Sequence, residues 1–280
     1  MVEAPDDASA EGVTGGGLDP ALRRLWEEPA PPRRGPRPSM SRAAVVEAAF
    51  TVADREGLAA VSMARIGEEL GVTAMALYRH VASKDELLEL LADRISAELA
   101  PLPPGFDWRA GLESWTLAQI QLALTHPWFI DLPLPTARVG PQRMRWLDQG
   151  FTVMRGLPLN AGEKLRILGF LAQHVLGEAR VQIDSRRAAA SVVRRRAGLP
   201  DDTPVDELDP VDLAAAEPFA DLEEVLAHYA DPESLPGLYE AVLGPEGVPV
   251  PPEPVGDEIG FGITVILDGL EVYLAQKKAR

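Results

Sequence analysis

Gly71 constrains this chain more than any other residue. It lies between two short stretches of helical pattern, Ser62-Met-Ala-Arg-Ile-Gly-Glu-Glu-Leu70 and Thr73-Ala-Met-Ala-Leu-Tyr-Arg-His-Val81, with only Val72 left to complete the link. So short a turn calls for positive φ at the elbow, which glycine adopts at little cost. Val72 would then plug the angle between the helices. This is the layout of a helix-turn-helix, which can seat its second helix in the major groove of DNA.

The flanking periodicity agrees. Val46, Ala49, Phe50 and Ala53 recur at i, i+3, i+4 and i+7, so a helix with one buried stripe precedes the pair. Ser41 is placed to cap that helix and Gly57 to end it. Ser62 can cap the second helix, with Met63, Ile66 and Leu70 on its inner face, and Thr73 can cap the third. Ser83-Lys-Asp-Glu86 reads as a capping box opening a fourth helix. Leu87, Leu88, Leu91, Ile95 and Leu99 carry its apolar face until Pro101.

Read around its circumference, the third helix turns Leu77 and Val81 inward and Met75, Ala76, Tyr78, Arg79 and Ala82 outward. That outer face carries no acid. Small residues allow close approach to a groove floor, where Met75, Ala74 and Ala76 could touch thymine methyls and Arg79 a guanine edge or a phosphate. Tyr78, His80 and Lys84 suit phosphate oxygens, Lys84 with the help of the N–H groups at a helix start. Tyr78 could instead pack on the fourth helix, and Arg79 and Lys84, taken singly, could be solvated charges. Upstream, Arg33-Arg-Gly-Pro-Arg-Pro-Ser-Met-Ser-Arg42 holds four arginines and no acid. It is either a basic arm for DNA or a linker that happens to be basic.

Residues 42–100 resemble the DNA-binding domain of the TetR family of bacterial one-component regulators. The likeness runs through Ala-Ala-Phe50, Glu56-Gly-Leu, Ile66-Gly-Glu-Glu-Leu-Gly-Val72 and Ala76-Leu-Tyr-Arg-His-Val-Ala-Ser-Lys-Asp-Glu-Leu87. Weaker similarity through His126-Pro127, Gly140-Pro141, Gln149-Gly150-Phe151 and Phe261-Gly-Ile points to the subgroup with a tetracycline-repressor-like C-terminal domain. The resemblance implies an all-α homodimer. A three-helix helix-turn-helix domain would be followed by a larger helical domain for ligand binding and dimerisation. Two reading helices would meet a palindromic operator, and a small-molecule effector would change their separation. By the same resemblance, DNA contacts fall on Ala74, Met75, Ala76, Tyr78, Arg79, His80 and Lys84, to which Ser62 and Arg42 are added at the second helix start and the arm. Two positions depart from the subgroup. Ala64 stands where the tetracycline repressor has a DNA-contacting Arg, with Arg65 one step on. Leu99-Ala100-Pro101 stands where it has a drug-binding His, so a magnesium–tetracycline effector is not expected.

A net charge of −16 must be squared with DNA. From Arg33 to Lys84 there are eight Arg and Lys against five acids, whereas no Lys or Arg falls between Arg196 and Lys277. DNA is therefore expected at one end only. The first 40 residues hold seven Pro and five Gly, which reads as a disordered extension ending in the basic arm. Residues 41–100 then form the DNA-binding domain and 101–280 the ligand-binding and dimerisation domain. No signal segment and no uninterrupted apolar run of bilayer length is evident, and there is no Cys, so a cytoplasmic protein without membrane contact is expected.

Past Pro104, helical patterns cover Trp108 to Thr125, Pro141 to Arg155 (with Met144, Leu147, Phe151 and Met154 inward), Asn160 to Arg196, and Asp257 to Lys278. In the last, Ile259, Ile263, Ile266, Leu267, Leu270 and Leu274 make a stripe that suits a dimer seam or an intramolecular core. Between Pro200 and Pro254 there are eleven prolines, consistent with an acidic loop or with a lid. Trp115, Gln119, His126, Met144, Phe151, Gln173 and His174 are candidates for an effector cavity, and each also suits plain core. No catalytic, metal or cofactor motif is present. A ligand-responsive repressor is the expected function. The alternatives are a helix-turn-helix used for protein interaction and, with less support, a carboxylate-based enzyme.

Overall fold

Serine caps, glycine exits and prolines at first turns set most of the helix boundaries in the computed structural model, which describes residues 20–27, 40–134, 137–216, 222–229, 231–243 and 258–279. Those residues form helices and connections without strands. The helices are α1 (Pro20–Trp26), α2 (Arg42–Glu56), α3 (Met63–Leu70), α4 (Ala74–Leu77), α5 (Lys84–Ser96), α6 (Trp108–Thr125), α7 (Pro141–Val153), α8 (Ala161–Ala197), α9 (Pro210–Ala214), α10 (Leu222–Tyr229), α11 (Pro236–Leu243) and α12 (Glu258–Lys278). Ser41, Ser62, Ser83, Asp107 and Asn160 each accept a main-chain N–H at the start of a helix, which satisfies one of its free donors.

Helices α2, α3 and α5 enclose a small core in which Val45, Ala49, Val52, Ile66, Leu77, Val81, Leu87, Leu91 and Ile95 are fully buried. Val46, Ala49 and Ala53 lie within this buried face, while Phe50 sits at its edge. The core continues into the C-terminal half through Trp128, Phe129 and Ile130 of the 3-10 turn Pro127–Asp131, and through Ala179 and Ile183 of α8. At this joint the Asp54 carboxylate accepts the Trp128 indole N–H at 2.6 Å and meets the His126 ring at 2.6 Å. Phe50 stands edge-on to both rings. A second core forms where α6 packs among α7, α8 and α12 around Leu112, Ile120, Met154, Leu168, Leu171 and Ile263.

Two expectations need correction, and the last helix follows one of its two readings. Residues 20–26 were expected to be disordered but form α1. Leu25 is buried, Arg24 bonds the Glu86 carboxylate at 2.6 Å, and Trp26 donates to the Val139 carbonyl at 3.0 Å. Of the residues expected inward along α7, Leu147, Phe151 and the following Met154 pack on the second core together with Trp146, whereas Met144 is exposed. Gly150 faces α8, where a Cβ would lie 2.7 Å from a Leu168 methyl, and its absence lets α8 close in. In α12 the stripe of Ile263, Leu267, Leu270 and Leu274 is buried within the chain against α6 and α8. A second apolar face, with Phe261, Val265, Val272 and Tyr273, remains open. By length and composition, Ile259–Lys278 is the one span among the described residues apolar enough to cross a membrane. Asp268 and Glu271 interrupt it, and Arg109 of α6 pairs with both.

Candidate nucleic-acid interface and effector cavity

The turn is built as the elbow requires. Gly71 takes φ 68° and ψ 32°, and Val72 N–H bonds the Gly67 carbonyl at 2.8 Å. A Cβ on Gly67 would stand 2.7 Å from the Val72 carbonyl oxygen, so only glycine allows α3 and the turn to approach this closely. The reading segment is shorter than the 100° pattern implies. Helix α4 spans a single turn, without the expected cap from the Thr73 side chain. The chain then tightens through His80 N–H to Leu77 O at 2.8 Å and Val81 N–H to Leu77 O at 3.0 Å. Leu77 and Val81 anchor it in the core. Met75 is 74% exposed and Tyr78 48%, so Tyr78 stands outward and does not pack under α5. Arg79 and Lys84 are exposed beside them, with Ala74, Ala76 and His80 half-buried at the edges.

The other DNA candidates are more committed. The Ser62 hydroxyl caps α3 by accepting Arg65 N–H at 3.2 Å. Arg42 is half-buried and donates to the Glu27 carbonyl at 2.6 Å. Arg65, next to Ala64, is held by Glu56 and Glu69, which also bind Arg55. Hydrogen bonds from Arg65 first and Arg55 second bring the Glu56 pKa down to about 2. The reciprocal half of the capping box is displaced by one residue. Ser83 accepts Glu86 N–H, but the Glu86 carboxylate takes Ala82 N–H at 2.7 Å while its other oxygen holds Arg24. Arg33, Arg34 and Arg37 lie outside the described residues.

Behind this domain lies a cavity of about 470 Å³ between the end of α5, α6, α7 and α8. Among the seven sequence candidates, Trp115, Gln119 and Gln173 line it. The other four do not. His126 is engaged with Asp54, and Met144 faces solvent. Phe151 packs on the second core, and His174 lies beneath α12, where a Cβ on Gly262 would meet its ring at 2.6 Å. Among the lining residues that sequence reasoning missed are Ser96, Phe129, Arg143 and Trp146. Arg143, Trp146 and Leu147 share the i, i+3, i+4 spacing, a signal that was present but outweighed by Met144 and Phe151. Trp115 and Trp146 lie parallel at 5.6 Å, and Trp115 donates its indole N–H to the Trp146 carbonyl at 3.0 Å. A cleft of about 600 Å³, between the 102–108 connection and the end of α7, contains none of the candidates. Among the described residues no group of three or more metal-ligating side chains is brought together.

Comparisons with known proteins agree with this geometry. Residues 45–91 match the family model for bacterial regulatory proteins of the tetR family, and residues 100–274 match the tetracyclin repressor-like C-terminal domain. The chain is 35% identical over 273 residues to the HTH-type transcriptional repressor DrrR1 of Streptomyces coeruleorubidus, covering 96% of this chain and 92% of that one. The apo structure of ActR from Streptomyces coelicolor superimposes with a TM-score of 0.63 at 20% identity, over 86% of this chain and 99% of ActR. ActR in complex with actinorhodin gives 0.61 at 22% identity, over 84% of this chain and 98% of that one. The chain therefore belongs to the tetR family of bacterial regulatory proteins, a non-enzymatic class of DNA-binding transcriptional regulators.

Proposed function

We propose that the protein acts as a homodimer in the cytoplasm, holding two α4 segments in successive major grooves of a palindromic operator until an effector fills the α5–α8 cavity. Residues 41–100 read DNA, and 101–280 bind the effector and the second protomer. Met75, Tyr78, Arg79 and Lys84 make the main contacts, with Ala74, Ala76 and His80 at the edges. Ser62 contributes by setting the start of α3, and Arg42 by joining the arm to α2. The observation that carries this reading is the course of α5. Its first residue, Lys84, is exposed beside the reading segment, and its last, Ser96, lines the cavity. Thirteen residues of helix make a rigid rod of roughly 20 Å. A ligand that displaces the cavity end of α5 would move its DNA end. Bound reading segments must sit about one DNA turn apart, roughly 34–36 Å, and an effector acts only through its different affinity for the two spacings.

The test is a mobility-shift assay on DNA flanking the protein's own gene, at two salt concentrations. Phosphate contacts should give binding that weakens steeply with salt. Tyr78→Ala and Lys84→Ala should each reduce affinity about tenfold, a cost of about 1–3 kcal/mol, without changing the helical circular dichroism. The absence of any shift at low salt would favour a protein-interaction module. Wild-type affinity in both variants would remove the assigned surface.

A further inference from the structure

One charged group in the wall of the cavity narrows the chemistry of what it takes. Trp146, only 6% exposed, lends its ring to that wall beside Trp115. One turn earlier on α7, Arg143 lines the same cavity. Among the described residues its guanidinium donates only to neutral oxygens, the Leu134 and Ala137 carbonyls, each at 3.3 Å. The nearby Asp93 carboxylate spends Oδ1 on the main-chain N–H groups of Gln142 and Arg143, at 2.9 and 3.0 Å. Burial lowers the Arg143 pKa from its ordinary value, and Asp93 only partly offsets this. An arginine carries five N–H donors, and a desolvated cation without an anion in contact is costly. The remaining wall is largely apolar and aromatic, with the Gln119 and Gln173 amides as its other polar groups besides Ser96.

Building on the effector-cavity reading, we propose that the effector is an organic anion with an aromatic body, its acidic oxygen taken by Arg143 and its ring lying against Trp115 and Trp146. A carboxylate or an ionised phenol on a fused-ring skeleton fits this description. A ligand whose buried end is cationic would face the guanidinium unfavourably.

Fluorescence titration of the full chain with two probes tests the assignment. The probes are 8-anilinonaphthalene-1-sulfonate and its uncharged counterpart N-phenyl-1-naphthylamine. Charge-assisted hydrogen bonds should make the wild type bind the sulfonate at least about tenfold more tightly. Arg143→Gln should abolish that preference while leaving the neutral probe within about twofold, and Arg143→Lys should restore part of it. Gly169→Leu serves as a blocking variant, since Gly169 lines the cavity with open space where its Cβ would be, and it should weaken both probes. If the wild type binds both probes equally, or if Arg143→Gln spares the sulfonate while Gly169→Leu weakens both, the anion assignment fails and the cavity reading stands. If Gly169→Leu affects neither probe, the cavity reading itself fails.

Discussion

Gly67 and Gly71 stand four residues apart and are glycines for different reasons. Gly71 has open space where a Cβ would be but a left-handed backbone. Gly67 has ordinary helical geometry, and the main-chain oxygen of Val72 occupies the place of its methyl. A side-chain neighbour could swing aside, whereas a carbonyl in the turn moves only if the turn opens. Gly67→Ala should therefore destabilise the protein by about 1–3 kcal/mol, despite the better helix propensity of alanine. It should also reduce DNA affinity by tilting α4. Thermal unfolding together with the shift assay checks this, and a wild-type melting temperature would show that the close approach is relaxed in solution. Tyr78 illustrates the opposite relation. It is half exposed beside a fully buried Leu77, so the packing that holds the segment is separate from the surface it presents. That separation is what allows a contact residue to be changed without unfolding the domain.

Helix α1 joins elements that are far apart in sequence. Trp26 holds the carbonyl of Val139, a residue that lines the cavity, and Arg24 holds Glu86, which caps the DNA end of α5. Glu27 meanwhile takes Arg42 at the start of α2. Removing residues 1–27 exposes Leu25's site and leaves the buried Glu86 without its cation. Differential scanning calorimetry should show a loss of about 1–3 kcal/mol, and an unchanged melting temperature would mean that α1 does not brace the two halves. This helix was illegible in the sequence because seven residues are marginal as an isolated helix, and partners 62 and 113 positions away supply their stability. The region's Pro and Gly content pointed the other way. Helix α7 was legible in extent and in most of its inward face; Met144 was misplaced, since a hydropathy pattern ranks it above Gly150 and cannot register that glycine admits Leu168. Helix α12 was read as one stripe because both of its faces are apolar. The helix-turn-helix was legible throughout its caps and core, where spacing within twenty residues decides the structure. Its lapses, the missing Thr73 cap and the single-turn α4, lie where the turn geometry overrides propensity. In the cavity, Trp115 and Gln119 followed from the α6 face, whereas Arg143 resembles any surface arginine until the fold buries it.

At the scale of the whole molecule, charge and apolar surface divide the labour. The acid-rich stretch without Lys or Arg from 197 to 276 belongs to the C-terminal half of the sequence, whereas the exposed Arg79 and Lys84 belong to the N-terminal half. A net charge of −16 is therefore unevenly shared along the chain, as an approach to DNA requires. Among the described residues an exposed apolar surface runs along α8 and α12, where Phe170 and Val265 border a groove and Phe261 is 57% exposed. A contiguous exposed patch of this kind marks an association surface. A second copy presenting the same two helices would cover it with two-fold symmetry, the commonest arrangement among homo-oligomers. Val265→Glu places a carboxylate on the open face of α12, away from the buried Ile263 and Leu267, so the protomer should keep its fold. Sedimentation equilibrium should show a dimer for the wild type and a monomer for this variant. Operator affinity should fall by about 10²–10⁴, because the second reading segment no longer benefits from linkage to the first. The mutated helix is remote from Tyr78 and Lys84 in sequence and belongs to the other core, so direct loss of a DNA contact cannot explain such a fall. A variant that remains dimeric would place the interface elsewhere. A folded monomer with wild-type operator affinity would show that one reading unit suffices, and would remove the spacing on which effector control depends.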